Sequence, residues 1–135
     1  ATEENEMKEV LAMIRMNKMN ETKRALADAG VACLTARRAL GRGKGIVDRR
    51  VLAGASDGRE EAIAQLGDAP RLIPKRAITV VVPDEKVETV VQTLIKVNQT
   101  GQPGDGKIFV LPVDDALRIR TSESGDAALD EAGEE

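Results

Sequence analysis

"KRAITVVVPDEKVETVVQTLIKVNQTG", residues 75–101, holds a complete strand and a complete helix in one uninterrupted reading. The β-branched run Ile78 to Val82 favours an extended chain, and Pro83 cannot donate a ladder hydrogen bond and closes it. Asp84 then stands where a helix cap belongs. Val87, Val90, Val91, Leu94 and Ile95 recur at helical spacing, and Gly101 supplies a stop.

Working outward, "KIFVLPV" (107–113) is a further strand, and the same order of elements occurs near the start of the chain. "MKEVLAMIR" (7–15) alternates, with Val10, Ala12 and Ile14 on one face and Leu11 and Met13 on the other. "NETKRALADAG" (20–30) predicts a helix capped by Asn20, with Ala25, Leu26 and Ala29 on its apolar side and Gly30 as its stop; "VACLTARRAL" (31–40) is again strand-like. Two β-α-β units in tandem predict an α+β fold of the ferredoxin-like βαββαβ type, a four-stranded sheet with two helices on one face. Between the halves lies a 34-residue connection, Gly41 to Pro74, containing "GRGKG", "AGASDG" and "GDAPRLIP". A connection of that length inside a small domain points to function.

Composition narrows the chemistry. The 135 residues are 41 % hydrophobic but 1 % aromatic, a single Phe109, so the core is aliphatic and base stacking has almost no platform. Nucleic acid is therefore not an expected partner. There is no histidine and one cysteine, which removes His-based acid/base catalysis, zinc sites and internal disulfides. Cys33, in an apolar stretch, is expected to be a small core residue. No apolar run reaches the roughly 18 residues of a membrane span, so stable membrane insertion is not expected and a cytoplasmic location is. The net charge of −3 is unevenly spread: residues 1–6 and 123–135 together carry −9, leaving +6 on residues 7–122. The expected organisation is an acidic disordered start (1–6), a domain over 7–122 and an acidic disordered tail (123–135). A basic body fits an anionic ligand or partner.

The residues that could hold such an anion lie in "TGQPGDGKIFVLPVDDALRIRT", 100–121. Gly101, Gly104 and Gly106 allow tight turns and close backbone approach, and Lys107 follows. If "LRIR" is extended, Arg118 and Arg120 leave the same face of a sheet. Glycine backbone plus three cations suits a polyphosphate, although none of the glycine stretches matches a complete phosphate-loop pattern. Charges on a solvated edge strand are the other reading of the same residues.

Residues 7–46 and 73–129 resemble the PII family of nitrogen-regulatory signalling proteins. The resemblance rests on "TGQPGDGKIFVLPVDDALRIRTSESGDAAL", "IPKRAITVVVPDEKVETVVQTLIKVNQTG", "TARRALGRGKG" and "MKEVLAMIRMNKMNETKRALADAG". It implies a trimer, ATP or ADP in clefts between protomers, 2-oxoglutarate as effector, Mg2+ bridging the two ligands, and the 41–74 connection as a target-binding T-loop. Carried over residue by residue, it implies nucleotide contacts at Thr35, Gly41, Gly43, Val81, Gly104, Asp105, Gly106, Lys107, Arg118 and Arg120. For 2-oxoglutarate it implies Lys75, with Gly43, Lys44 and Gly45. "GRGKG" lacks the glutamine that most relatives use to bind the metal, and without tyrosine the chain offers no site for loop uridylylation.

The opening segment, "GRGKG" and the enlarged loop are most similar to the nitrogen-fixation PII paralogues. That resemblance implies a non-catalytic inhibitor of a nitrogenase component, dinitrogenase, acting alone or in a mixed assembly with a PII paralogue. Control of an ammonium transporter or a nitrogen-assimilation enzyme is the alternative, and a small phosphate-transferring enzyme a more distant one.

Overall fold

The computed structural model describes residues 6–42 and 72–129. The elements run β1 (Met7–Arg15), a 3-10 turn (Met16–Lys18), α1 (Met19–Asp28), β2 (Thr35–Gly41), β3 (Ile73–Pro83), α2 (Asp84–Asn98), β4 (Lys107–Val113) and a second 3-10 turn (Gly125–Ala128). The sheet order is β2-β3-β1-β4, antiparallel throughout. β3 is therefore inserted between β1 and β2, the two strands that α1 joins, which is the split βαβ of the expected ferredoxin-like fold.

Alternation decides which sheet face is covered. Val10, Ala12 and Ile14 of β1 and Ile78, Val80 and Val82 of β3 are buried with Leu26 of α1 and Val90 and Leu94 of α2 in one aliphatic core. Met19, Leu34, Val87, Val91 and Ile108 pack around it. The opposite face carries cross-strand rows such as Thr35–Thr79–Leu11–Phe109 and Arg37–Ala77–Met13–Lys107, and among the described residues no helix covers it. Phe109, Val110 and Leu111 on edge strand β4 remain exposed, as do Leu40, Leu117 and Ile119.

The helix ends differ in detail from expectation. Asn20 is not the cap of α1: the chain leaves β1 through the 3-10 turn and winds straight into the helix, so Lys18 occupies the cap position and Asn20 lies in the first turn. The predicted stop at Gly30 holds, for a clear reason. Val31 N–H donates to the Leu26 carbonyl at 2.8 Å and Gly30 N–H to that of Ala27 at 3.0 Å, with Gly30 at φ +92°, the Schellman arrangement that favours glycine. Pro83, not Asp84, precedes α2. Asp84 is its first residue, with its N–H bound by the Glu6 carbonyl at 2.8 Å and its carboxylate by Lys8 Nζ at 2.7 Å. α2 ends at Asn98 rather than at Gly101.

Residues 31–34 are not part of β2, because Val31 is drawn into the core by the helix stop. Cys33 falls in this short link and is exposed, which corrects its expected place in the core. One polar bridge crosses the helix layer. Asn98 Nδ2 donates to Thr22 Oγ1 at 3.2 Å and to the Leu94 carbonyl at 3.0 Å, while the Thr22 hydroxyl donates to the Lys18 carbonyl at 2.7 Å. Both residues are buried, and this contact ties α1 to α2 inside an otherwise apolar layer.

Candidate functional site

The 99–106 loop between α2 and β4 is organised around one carboxylate. Asp105 Oδ2 accepts the N–H groups of Thr100 (2.8 Å) and Gly101 (2.9 Å), and Oδ1 accepts the Thr100 hydroxyl (2.6 Å). Arg15, at the end of β1, completes the set. It donates to Asp105 Oδ1 at 2.7 Å and to the Pro103 carbonyl at 3.0 Å. The Thr100 hydroxyl above all holds the Asp105 carboxyl well below the usual carboxylate range; burial opposes this, and the Thr100 N–H, Arg15 and the Gly101 N–H add to it. The negative charge of Asp105 is thus matched by Arg15 of β1 and by the loop's own donors.

Gly101, Gly104 and Gly106 all adopt positive φ, at +85°, +102° and +109°. Gly106 also has no room for a side chain: a Cβ there would lie 1.8 Å from the Met13 carbonyl oxygen. This close approach seats the loop on β1 and starts β4 at Lys107, paired with Met13. Lys75, at the entry to β3, donates from Nζ to the Gly104 carbonyl at 3.0 Å. The fold therefore gathers Lys75, Gly104, Asp105, Gly106 and Lys107 at the end of the sheet from which residues 43–71 depart.

Thr35 and Val81 lie on the uncovered face, Thr35 opposite Thr79 and Val81 opposite Glu9. Gly41 closes β2 opposite Ile73. Gly43, Lys44 and Gly45 lie outside the described residues. Arg15 was not singled out in the sequence; its signal, a cation ending an apolar strand, is common to many solvated strand ends.

Arg118 and Arg120 do not form the expected strand. Only Leu117 bridges, to Ser124, and the intervening residues turn: Arg118 N–H donates to the Glu123 carbonyl at 2.8 Å and Ser122 N–H to the Arg118 carbonyl at 2.7 Å, with Ser122 at φ +67°. The two guanidinium groups consequently do not share a sheet face. Arg118 is buried, donating to the Glu123 carboxylate and to the Ala127 carbonyl at 2.6 Å, whereas Arg120 is exposed. The same contacts order residues 123–129, expected to begin a disordered tail, because Glu123 also accepts the Thr121 hydroxyl at 2.9 Å.

Among the described residues no helix is long and apolar enough to cross a membrane, and no three His, Cys, Asp or Glu side chains gather as a metal set. The pattern of the family "Nitrogen regulatory protein P-II" matches residues 7–123. The chain is 49 % identical over 126 residues to the "Nitrogen fixation nifHD region GlnB-like protein 2" of Methanobacterium ivanovii, covering 91 % of this chain and 99 % of that protein. It is 37 % identical over 123 residues to the "Nitrogen regulatory protein P-II 1" of Escherichia coli, covering 91 % of this chain and all (100 %) of that one. Among solved structures, PII of Arabidopsis thaliana bound to citrate superimposes with a TM-score of 0.72 at 28 % identity, covering 98 % of each chain. With the split βαβ fold and this glycine loop in place, the chain belongs to the P-II family of nitrogen regulatory proteins.

Proposed function

We propose that the chain is a non-catalytic metabolite sensor that binds ATP or ADP together with 2-oxoglutarate and regulates a nitrogenase component through residues 41–74, inhibiting it when fixed nitrogen is plentiful. The observation that carries this reading is the convergence of Lys75 and the 104–107 glycine loop at the root of that connection. A polyphosphate needs backbone donors and several cations at once, and an aspartate in the loop is tolerated only because Arg15 and Thr100 absorb its charge. Lys75 and Lys107 would face the ligand anions, with Arg120 reaching the phosphates from a neighbouring protomer. Arg118, held by Glu123, would shape the turn that presents Arg120. Mg2+ would take most of its ligands from the phosphate and oxo-acid oxygens.

The uncovered sheet face and the exposed Phe109 and Leu111 support assembly into a trimer, homomeric or shared with a paralogue, since apolar surface of this kind is normally buried. The nifHD-region relatives favour a nitrogenase partner over a transporter or an assimilation enzyme. For a signal to pass, the ligands must bind the loop's alternative conformations with different affinity. Titration calorimetry of the intact oligomer with ATP, alone and with 2-oxoglutarate, tests the reading, and absence of heat at millimolar nucleotide would defeat it. Arg120→Ala is expected to weaken ATP by at least about tenfold, or about 1.4 kcal/mol. Unchanged affinity would remove Arg120 from the site.

A further inference from the structure

On the helix-side face, β2 and β3 run past the helices and carry two arginines directly opposite one another, Arg38 and Arg76. The neighbouring pair on that face is Leu40 and Pro74. With Met16 and Ala39, these residues line an open groove of about 640 Å3, a size within the range of small-molecule sites. Like charges placed directly across a sheet repel. No described carboxylate relieves them: among the described residues neither Arg38 nor Arg76 makes an ion pair, and Arg76 donates a long 3.3 Å hydrogen bond to the Lys75 carbonyl. Lys75, one residue away, points to the other face and is engaged with Gly104.

We propose that this groove is an anion site separate from the nucleotide cleft, and that its ligand is a phosphate monoester with an apolar body. Two guanidinium forks suit the several oxygens of one phosphate better than a single carboxylate. Met16, Leu40 and Pro74 form the apolar wall for the rest of the molecule. An occupant would clamp β2 to β3 at the pairs just before residues 43–71 leave the sheet, so the site lies where it can bias that connection. The inference does not require the nucleotide reading, because it uses none of the same side chains.

The test is calorimetry on the full chain with phenyl phosphate and with inorganic phosphate as probes, alongside an ATP titration of the same preparations. Phenyl phosphate is expected to bind at millimolar concentration or below, about tenfold tighter than inorganic phosphate because of the apolar wall. Arg38→Gln and Arg76→Gln should each weaken it by at least about tenfold while leaving ATP unchanged. Each variant should also melt at or above the wild-type temperature, since it removes a repulsion, and this shows that the loss is not unfolding. Three results would overturn the proposal: no saturable binding of either probe, equal binding by the arginine variants, or competitive displacement by ATP with loss in Arg120→Ala. Phenyl phosphate binding that survives in a protein showing no ATP heat would sink the nucleotide reading and leave this one standing.

Discussion

Replacing Gly106 by alanine separates backbone strain from backbone collision, because Gly101 provides an internal control. Both glycines have positive φ, at +109° and +85°, but a Cβ on Gly101 meets nothing within 4 Å, whereas one on Gly106 lands 1.8 Å from the Met13 carbonyl oxygen. Gly101→Ala should therefore cost only the conformational penalty of an L-residue on the left-handed side, about 1–2 kcal/mol. In Gly106→Ala the loop must also retreat from β1 by more than 1 Å, because contacts under 3.0 Å to backbone are not tolerated. That retreat breaks the start of the Lys107–Met13 pairing and pulls on the Asp105–Arg15 ion pair. Losing one or two ladder bonds at about 1 kcal/mol each brings the expected total to roughly 2–4 kcal/mol. Urea denaturation of both variants, at matched protein concentration, reads the difference: with a slope of about 2 kcal/mol/M, a gap of about 1–2 kcal/mol separates the midpoints by roughly 0.5–1 M. Coincident midpoints would refute the argument, because the collision would then have no energetic consequence.

Two further outcomes follow from buried or non-local contacts. Since the Asp105 carboxyl is depressed in the folded state, its contribution is fully present above the unfolded value of about 4 and is lost as pH falls below it; thermal melts of Asp105→Asn should be flatter than wild type in that acidic range, and parallel curves would exclude the role. Thr22→Val leaves Asn98 Nδ2 short of an acceptor and should cost about 1–3 kcal/mol. Adding Asn98→Leu should recover part of that loss in a double-mutant cycle, and strict additivity would mean the two side chains do not act as a unit.

The relatives and the geometry bear on different parts of the molecule. Similarity over 91 % of the chain to a nifHD-region GlnB-like protein speaks to the family. The contacts of Asp105 explain instead how an acidic residue can sit within a loop suited to anions. Arg118, which resemblance alone places on a ligand phosphate, is engaged within its own turn by Glu123 and Ala127.

Local chemistry in the sequence was enough to determine the βαββαβ order, the alternation of β1 into two faces, and the glycine stop at Gly30, since each depends on residue spacing within single elements; which face of β1 and β3 is buried came from the structure. Tertiary structure alone decided the rest. Arg15 finds Asp105 across 90 positions and Asn98 finds Thr22 across 76, and "LRIR" turns because Glu123 supplies a closer partner than a neighbouring strand. Periodicity reports which side of an element is apolar, but it carries no information about which distant polar group the folded chain brings within hydrogen-bond reach.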